Sequence, residues 1–238
     1  MYKVCIIGTG RIAAEFDDNH VKAYLGCKDT EIKALCDINI GKAYDCAERY
    51  KLNCNFYEDS DDIREPLDII SICTRPETHR QVLESIINIE GLKAIYCEKP
   101  IATRLYDAQK MIDLCKEKDI ILQINHQRRF GRSQFSFARG MENTGTHAFD
   151  LLRIYFGNIK KHDDHSIITP SGLIIDINNI PGGGHDFLFN VPTPSKGLLR
   201  LGVEHLVECI KGEASCVSTG EDGYEALKLC LQFSGVLE

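Results

Sequence analysis

The chain has 238 residues, 43% hydrophobic and 26% charged, with 28 basic against 35 acidic side chains and a net charge of −7. That composition supports a packed core in one large or two modest domains and excludes a disordered, collagenous or fibrous chain. An acidic surplus gives no field to recruit nucleic acid or anionic lipid, and no apolar run approaches the ~18 residues needed to span a bilayer; neither partner is expected, and the expected setting is the cytoplasm. The eleven cysteines are odd in number and form no Cys-x-x-Cys pair, which argues against a disulfide scaffold and a structural zinc site. Cys5, Cys36, Cys73 and Cys97 fall in apolar runs, where a thiol acts as a small hydrophobe.

In chain order, short apolar runs predict strands at residues 3–8, 31–37, 53–57, 67–73, 92–97 and 120–125. Between them, apolar residues recur at three- and four-residue intervals over 11–25, 40–51, 77–88 and 105–118, which predicts helices. Val4-Cys5-Ile6-Ile7 and Ile69-Ile70-Ser71-Ile72 are apolar on both pleat faces, as in strands covered by helices on each side. Strand and helix alternating in this way predict an α/β fold, a doubly wound parallel sheet over residues 1–125. After residue 125 the rhythm changes. A helix is predicted at 147–156, a strand pair at 166–169 and 173–178 about the turn Pro170-Ser171-Gly172, a break at Pro181-Gly182-Gly183-Gly184, and helices at 203–211 and 224–233. Residues 126–238 therefore read as a second, α+β domain, with its last helix able to pack back on the first.

Two constellations carry chemistry. Gly8-Thr9-Gly10-Arg11-Ile12-Ala13 follows the first strand and opens the first helix: Gly8 allows a tight turn, Gly10 a close approach of backbone to a pyrophosphate, and Ala13 close packing of helix on strand. The plain alternative is a tight strand-to-helix turn without a ligand. The next strand ends at Asp37, placed to accept from a ribose diol and to repel a 2′-phosphate, which favours NAD over NADP; a helix N-cap role for Asp37 is compatible with this. At the tip of the fifth strand stands Cys97-Glu98-Lys99-Pro100. A lysine there, partly desolvated beside a nicotinamide, exchanges a proton with a substrate hydroxyl, and the proline fixes the local chain; the alternative is a surface lysine at a loop junction.

These segments, with Ile72-Cys73-Thr74-Arg75-Pro76-Glu77-Thr78-His79, Glu98-Lys99-Pro100-Ile101-Ala102, Gly145-Thr146-His147-Ala148-Phe149-Asp150 and Gly220-Glu221-Asp222-Gly223-Tyr224-Glu225-Ala226-Leu227, resemble the glucose–fructose oxidoreductase, inositol dehydrogenase and rhizopine-catabolism group, the Gfo/Idh/MocA family. The resemblance implies an NAD(P)-dependent oxidoreductase acting on the CH–OH group of a sugar, cyclitol or sugar derivative. It also implies a Rossmann domain followed by a mostly antiparallel sheet domain that binds substrate and builds a homo-oligomer interface. Lys99 matches the family's catalytic lysine and His147 the histidine of its second active-site motif. Gly8, Thr9, Gly10, Arg11, Ile12, Asp37 and Glu98 match the cofactor side, and Thr74, Pro76 and His79 the loop that closes over the nicotinamide; the alternative for that loop is a turn followed by a capped helix, with His79 packed in its first turn.

An aspartate frequently lies four residues before the family's histidine; here Asn143 can hydrogen-bond a sugar hydroxyl but cannot serve as a base. Asp150, one helical turn after His147, is a natural orienting partner or a helix cap, and a substrate contact is assigned to it and to Arg128, of the pair Arg128-Arg129. His162-Asp163-Asp164-His165 lacks a third ligand at metal spacing, and no metal is expected. The 113 residues after Asn125 are few for the expected second sheet, with segments short before Asn143 and before Pro181. Two further readings stay open: a dinucleotide-binding regulatory protein with a reduced substrate half, and a glycosidase that oxidises its sugar transiently.

Overall fold

Six strands form one parallel sheet: β1 (Tyr2–Ile7), β2 (Thr30–Cys36), β3 (Asn55–Tyr57), β4 (Ile69–Ile72), β5 (Ala94–Cys97) and β6 (Ile121–Ile124), in the order β3-β2-β1-β4-β5-β6. The computed structural model describes residues 1–130, 135–136, 149–150, 152–153, 157–176, 186–187 and 197–236. The strand order reverses between β1 and β4, whose tips pair Ile7 with Ile72, while Ile7 pairs with Cys36 of β2 on its other side. In an open α/β sheet, ligands bind outside the carboxyl ends of the strands at such a reversal.

The alternation of side chains along each strand sorts the core into two layers. Cys5, Ile7, Ile70, Ile72, Ile95 and Cys97 face one side. There they meet Leu83 and Ile86 of α3 (His79–Ile86), Met111 and Ile112 of α4 (Leu105–Glu117), and Leu227 of the last helix. Val4, Ile6, Ile69, Ala94 and Tyr96 face the other, against Val21 and Tyr24 of α1 (His20–Gly26) and Ala43 and Cys46 of α2 (Ile40–Tyr50). Two-sided apolar strands thus end up covered on both faces, as their sequence predicts.

The predicted helix at 11–25 is two pieces. A single helical turn spans Arg11–Glu15, and α1 starts afresh at His20. The cause is local: Asn19 accepts from the Lys22 amide at 2.9 Å as N-cap of α1, while its own Nδ2 donates to the Phe16 carbonyl at 2.5 Å. An asparagine satisfied in both directions starts a helix more readily than it continues one. Of the predicted helix at 147–156, residues 149–150 and 152–153 are helical and the remainder lies outside the described residues.

The C-terminal part contributes more to the first sheet than its sequence suggests. Helix α5 (Leu198–Lys211) lays Leu199, Val203, Leu206 and Val207 into the same layer as α1, and helix α6 (Gly220–Phe233) packs beside α4 and β6. Contact is backbone-close at two glycines: a Cβ on Gly202 would run into the Tyr96 hydroxyl, and one on Gly223 would stand 2.9 Å from Ile124 Cγ1. Thr219 and Asp222 close a reciprocal capping box on α6. Among the described residues the antiparallel sheet has three strands, one more than the predicted pair. A strand β8 (Lys160–Asp163) flanks β9 (Ser166–Ile168), which pairs with β10 (Ile174–Asp176); a two-residue bridge joins β7 (Phe135–Ser136) to β11 (Asp186–Phe187). A third core of Phe149, Leu152, Ile159, Ile167 and Leu229 ties this sheet to α6. No helix among the described residues is long and apolar enough to cross a membrane.

Leu206 is fully buried between α5 and the sheet. Truncation to alanine removes that packing and leaves a cavity. Leu206→Ala is expected to lose about 2–5 kcal/mol of unfolding free energy, read as a shifted urea midpoint of the whole cooperative transition, whereas an α5 merely appended to the sheet would leave that midpoint in place.

Candidate functional site

Gly8 leaves β1 at φ +87°, a conformation that L side chains rarely adopt, and a Cβ there would stand 2.9 Å from both the carbonyl carbon and the oxygen of Cys73. Two strand tips thereby touch through backbone alone. Thr9 is buried; Gly10 is half-buried, and a Cβ on it would meet nothing within 4 Å, so its backbone faces open space. The amides of Ala13 and Ala14 return to the Gly10 carbonyl at 3.1 and 3.0 Å, which leaves the amides of residues 10–12 ahead of the first helical bonds. Arg11 is exposed with its guanidinium over the Phe16 ring, and Ile12 is half-buried on the second core layer.

Asp37 ends β2 in reach of this turn. Its Oδ2 accepts from the Thr9 amide at 2.8 Å and the Thr9 hydroxyl at 3.1 Å, and its Oδ1 from the Asn39 amide at 2.9 Å. The N-cap of α2 is Asn39, not Asp37. Three donors leave a carboxylate, with about four lone-pair sites, room for one further hydroxyl. Open backbone at Gly10, an obligatory glycine at 8 and a pinned acceptor at 37 fit the pyrophosphate and ribose of a dinucleotide.

On the β4 side, the Thr78 hydroxyl donates to the Thr74 hydroxyl at 2.9 Å and the Arg75 carbonyl at 2.8 Å, folding residues 74–78 into a turn with half-buried Thr74 and Pro76 at its rim. His79 lies beneath that rim, fully buried, with Nδ1 3.1 Å from the Ile101 carbonyl and Nε2 3.1 Å from the Thr74 carbonyl. Burial pulls its pKa below the usual histidine range against the pull of those carbonyls. It ties the β4 loop to the turn after β5. That turn carries half-buried Lys99 and a cis peptide to Pro100.

Glu98 points inward. Its Oε1 meets His20 Nε2 at 2.8 Å and accepts from Asn125 Nδ2 at 2.5 Å. His20 Nδ1 lies 3.2 Å from the Ser71 hydroxyl, which lies 2.7 Å from the Tyr24 hydroxyl, and the Tyr96 hydroxyl donates to Asn125 Oδ1 at 2.7 Å. Burial works against a charge on Glu98, but His20, Asn125 and the nearby Lys99 outweigh it and hold the carboxyl below the usual range. His20, Ser71, Tyr24 and Asn125 carry no motif of their own; an apolar run interrupted by buried-type polar residues was the available signal.

His147 and Asn143 lie outside the described residues, as does the Arg128 side chain. Asp150 is described, and buried. It accepts from Arg129 Nε at 2.7 Å and lies 3.2 Å from His126 Nδ1, while Arg129 also reaches Asp222 of the α6 capping box at 3.0 Å. The structure thus puts Asp150 with Arg129 in a buried ion cluster that anchors α6. Burial opposes its charge, but His126 and Arg129 prevail and bring the carboxyl down to about 2. His162 and Asp163 end β8 and Asp164 and His165 form its turn into β9, and no three His, Cys, Asp or Glu side chains among the described residues gather as a metal site.

Residues 2–126 match the model of the Gfo/Idh/MocA oxidoreductase family, NAD-binding Rossmann fold. The chain belongs to this family. A myo-inositol 2-dehydrogenase of Thermotoga maritima is 26% identical over 153 residues, 64% of this chain and 44% of that protein; a D-glucoside 3-dehydrogenase of Escherichia coli is 28% identical over 130 residues, 54% and 35%. The chain spans about half or less of the length of such curated relatives. Among solved structures, a myo-inositol dehydrogenase of Lactobacillus casei in complex with NAD(H) and myo-inositol superposes with a TM-score of 0.75 at 15% identity, covering 99% of this chain and 94% of that one. The WlbA dehydrogenase of Bordetella pertussis, in complex with NADH and UDP-GlcNAcA, gives 0.73 at 17%, covering 99% and 96%. NAD is the cofactor of this family, and the likeness to solved structures carries the fold.

The depressed pKa of Asp150 fixes a sign for acid stability. A carboxyl at about 2 when folded against an ordinary value of 3.8 stabilises the fold above pH ~4, and the contribution, on the order of 2 kcal/mol, drains away as pH falls toward 2. Denaturant unfolding from pH 7 to 2 is expected to show Asp150→Asn well below wild type at neutral pH, with the gap closing below pH 4.

Proposed function

We propose that this protein is an NAD-dependent dehydrogenase that moves a hydride between a secondary alcohol of a sugar, cyclitol or sugar derivative and the nicotinamide, with Lys99 accepting and returning the hydroxyl proton. The observation that carries the reading is the position of Lys99: half-buried, at the carboxyl tip of the strand next to the reversal, one residue beyond a buried carboxylate. NAD, when bound, supplies the hydride acceptor. The chain's own residues supply the rest. The Gly8–Ile12 turn receives the pyrophosphate, and Asp37 accepts from the adenosine ribose, a fixed anion that disfavours a 2′-phosphate. Thr74 and Pro76 bound the nicotinamide side, and His79 holds their loop against the turn after β5. Lys99 is a general base for alcohol oxidation and the acid for the reverse step.

His147 hydrogen-bonds the reacting oxygen or its neighbour, and Asn143 and Arg128 contact the substrate's polar groups; these roles rest on the family motif. The substrate class rests on relatives named for inositols and glucosides. Residues 1–125 hold the nucleotide, residues 126–238 bind substrate and join like chains in an oligomer, and eleven free thiols suit the reducing cytoplasm.

The test uses Lys99→Met with NAD and a panel of inositols, glucosides and sugar nucleotides, followed by reduced-cofactor absorbance. Turnover is expected to fall by roughly 10²- to 10⁴-fold while NADH affinity stays within a few-fold. Retained turnover removes Lys99 from the chemistry; wild-type silence across the panel, with NADH bound, moves the reading to a regulatory dinucleotide-binding protein.

A further inference from the structure

We propose that His20 is a positioning residue that, through its hydrogen bond to Glu98, keeps a fixed negative charge beside Lys99 and so raises the proton affinity of the Lys99 amine. This deepens the reading of Lys99 as proton acceptor and rests on it for its catalytic meaning.

The geometry works by elimination of donors and acceptors. A carboxylate only accepts, and an asparagine amide donates only from nitrogen. Asn125 takes the Tyr96 proton on Oδ1 and so turns Nδ2 to Glu98. His20 contacts Glu98 through Nε2 and so carries a proton there; with the ring accepting at Nδ1, Ser71 donates to it and in turn accepts from Tyr24. Two chains of donation, one from Tyr24 and one from Tyr96, therefore end on the same oxygen of Glu98. Every member is satisfied with Glu98 ionised. His20, Ser71 and Tyr96 are all fully buried, so water does not compete for these bonds.

The titratable groups facing Glu98 are His20 and Tyr24 from α1, Cys73 after β4, Tyr96 and Cys97 from β5, His79 from α3, and Lys99. Burial pushes the tyrosines and thiols up and His79 down. Lys99 is a neighbour of opposite charge to Glu98. An anion at that range favours the charged amine and offsets the opposite push of desolvation. His20 is 78 residues from Glu98 in sequence, and its link to Lys99 runs wholly through that carboxylate.

The test reads Lys99 directly on the whole chain, without substrate. Competitive labelling with acetic anhydride across pH 6–11, with the Lys99 peptide followed by mass spectrometry, gives the midpoint at which the amine becomes reactive. The midpoint is expected to fall by about one pH unit in Glu98→Gln and in His20→Leu, and to return toward wild type in His20→Gln, whose amide nitrogen can donate to Glu98. Unchanged midpoints in Glu98→Gln, or a shift in His20→Leu that His20→Gln fails to restore, overturn the inference. If His20→Leu does not fold, Glu98→Gln and His20→Gln decide: a lowered midpoint in the first with a wild-type midpoint in the second supports the inference, and any other pair overturns it. Labelling and the Lys99→Met turnover assay can fail independently, so the two readings are judged apart.

Discussion

The site depends on the place where β1 and β4 meet without side chains. At Gly8 the chain turns away from β1 at positive φ, and the space a Cβ would take belongs to the Cys73 carbonyl. A methyl group there would push the two strand tips apart at the point where the sheet changes direction. Because they touch, the Gly8–Ile12 turn and the Thr74–Thr78 turn flank one crevice, Asp37 reaches back to Thr9, and the β5 tip with Lys99 lies on the next strand over.

Beneath that crevice the interior is polar where sheets are usually apolar. Glu98 is tolerated there because two donor chains reach it, one through Ser71 of β4 and His20 of α1 and one through Tyr96 of β5 and Asn125 just after β6. The covering helices are part of the same arrangement. Helix α5 brings Gly202 against the Tyr96 hydroxyl, and Gln123 donates to the Gly202 carbonyl at 3.0 Å, so the C-terminal part of the chain seals the network from one side. Asp18 accepts from the Leu199 amide at 3.2 Å and joins the start of α5 to the loop between the phosphate turn and α1. The site and the helices that cover it are thus joined by direct contacts.

The six strands and the phosphate turn were legible because their signals are local: two-sided apolar runs, a glycine pair at fixed offset, a carboxylate at a strand tip. The break between Glu15 and His20 was not, since helical periodicity continues through Asp17-Asp18-Asn19 while the capping geometry of Asn19 overrides it. Glu98 and His79 were picked out by motif, yet both side chains turn into the interior, where their partners lie on α1, β6 and the loops, 5 to 78 residues away in sequence. Asp150 was read beside His147; its described partners, Arg129 and His126, come from the end of β6. Pairings of this kind are set by topology, which periodicity does not encode.

A crevice with Asp37 fixed at the ribose end suits a dinucleotide without a 2′-phosphate, and equilibrium titration of the whole chain with NADH and with NADPH reads that preference. Saturable NADH binding is expected at least about tenfold tighter than NADPH, a difference of ~1.4 kcal/mol, with the preference lost in Asp37→Ser. Equal affinity for the two, or no binding of either, would contradict it.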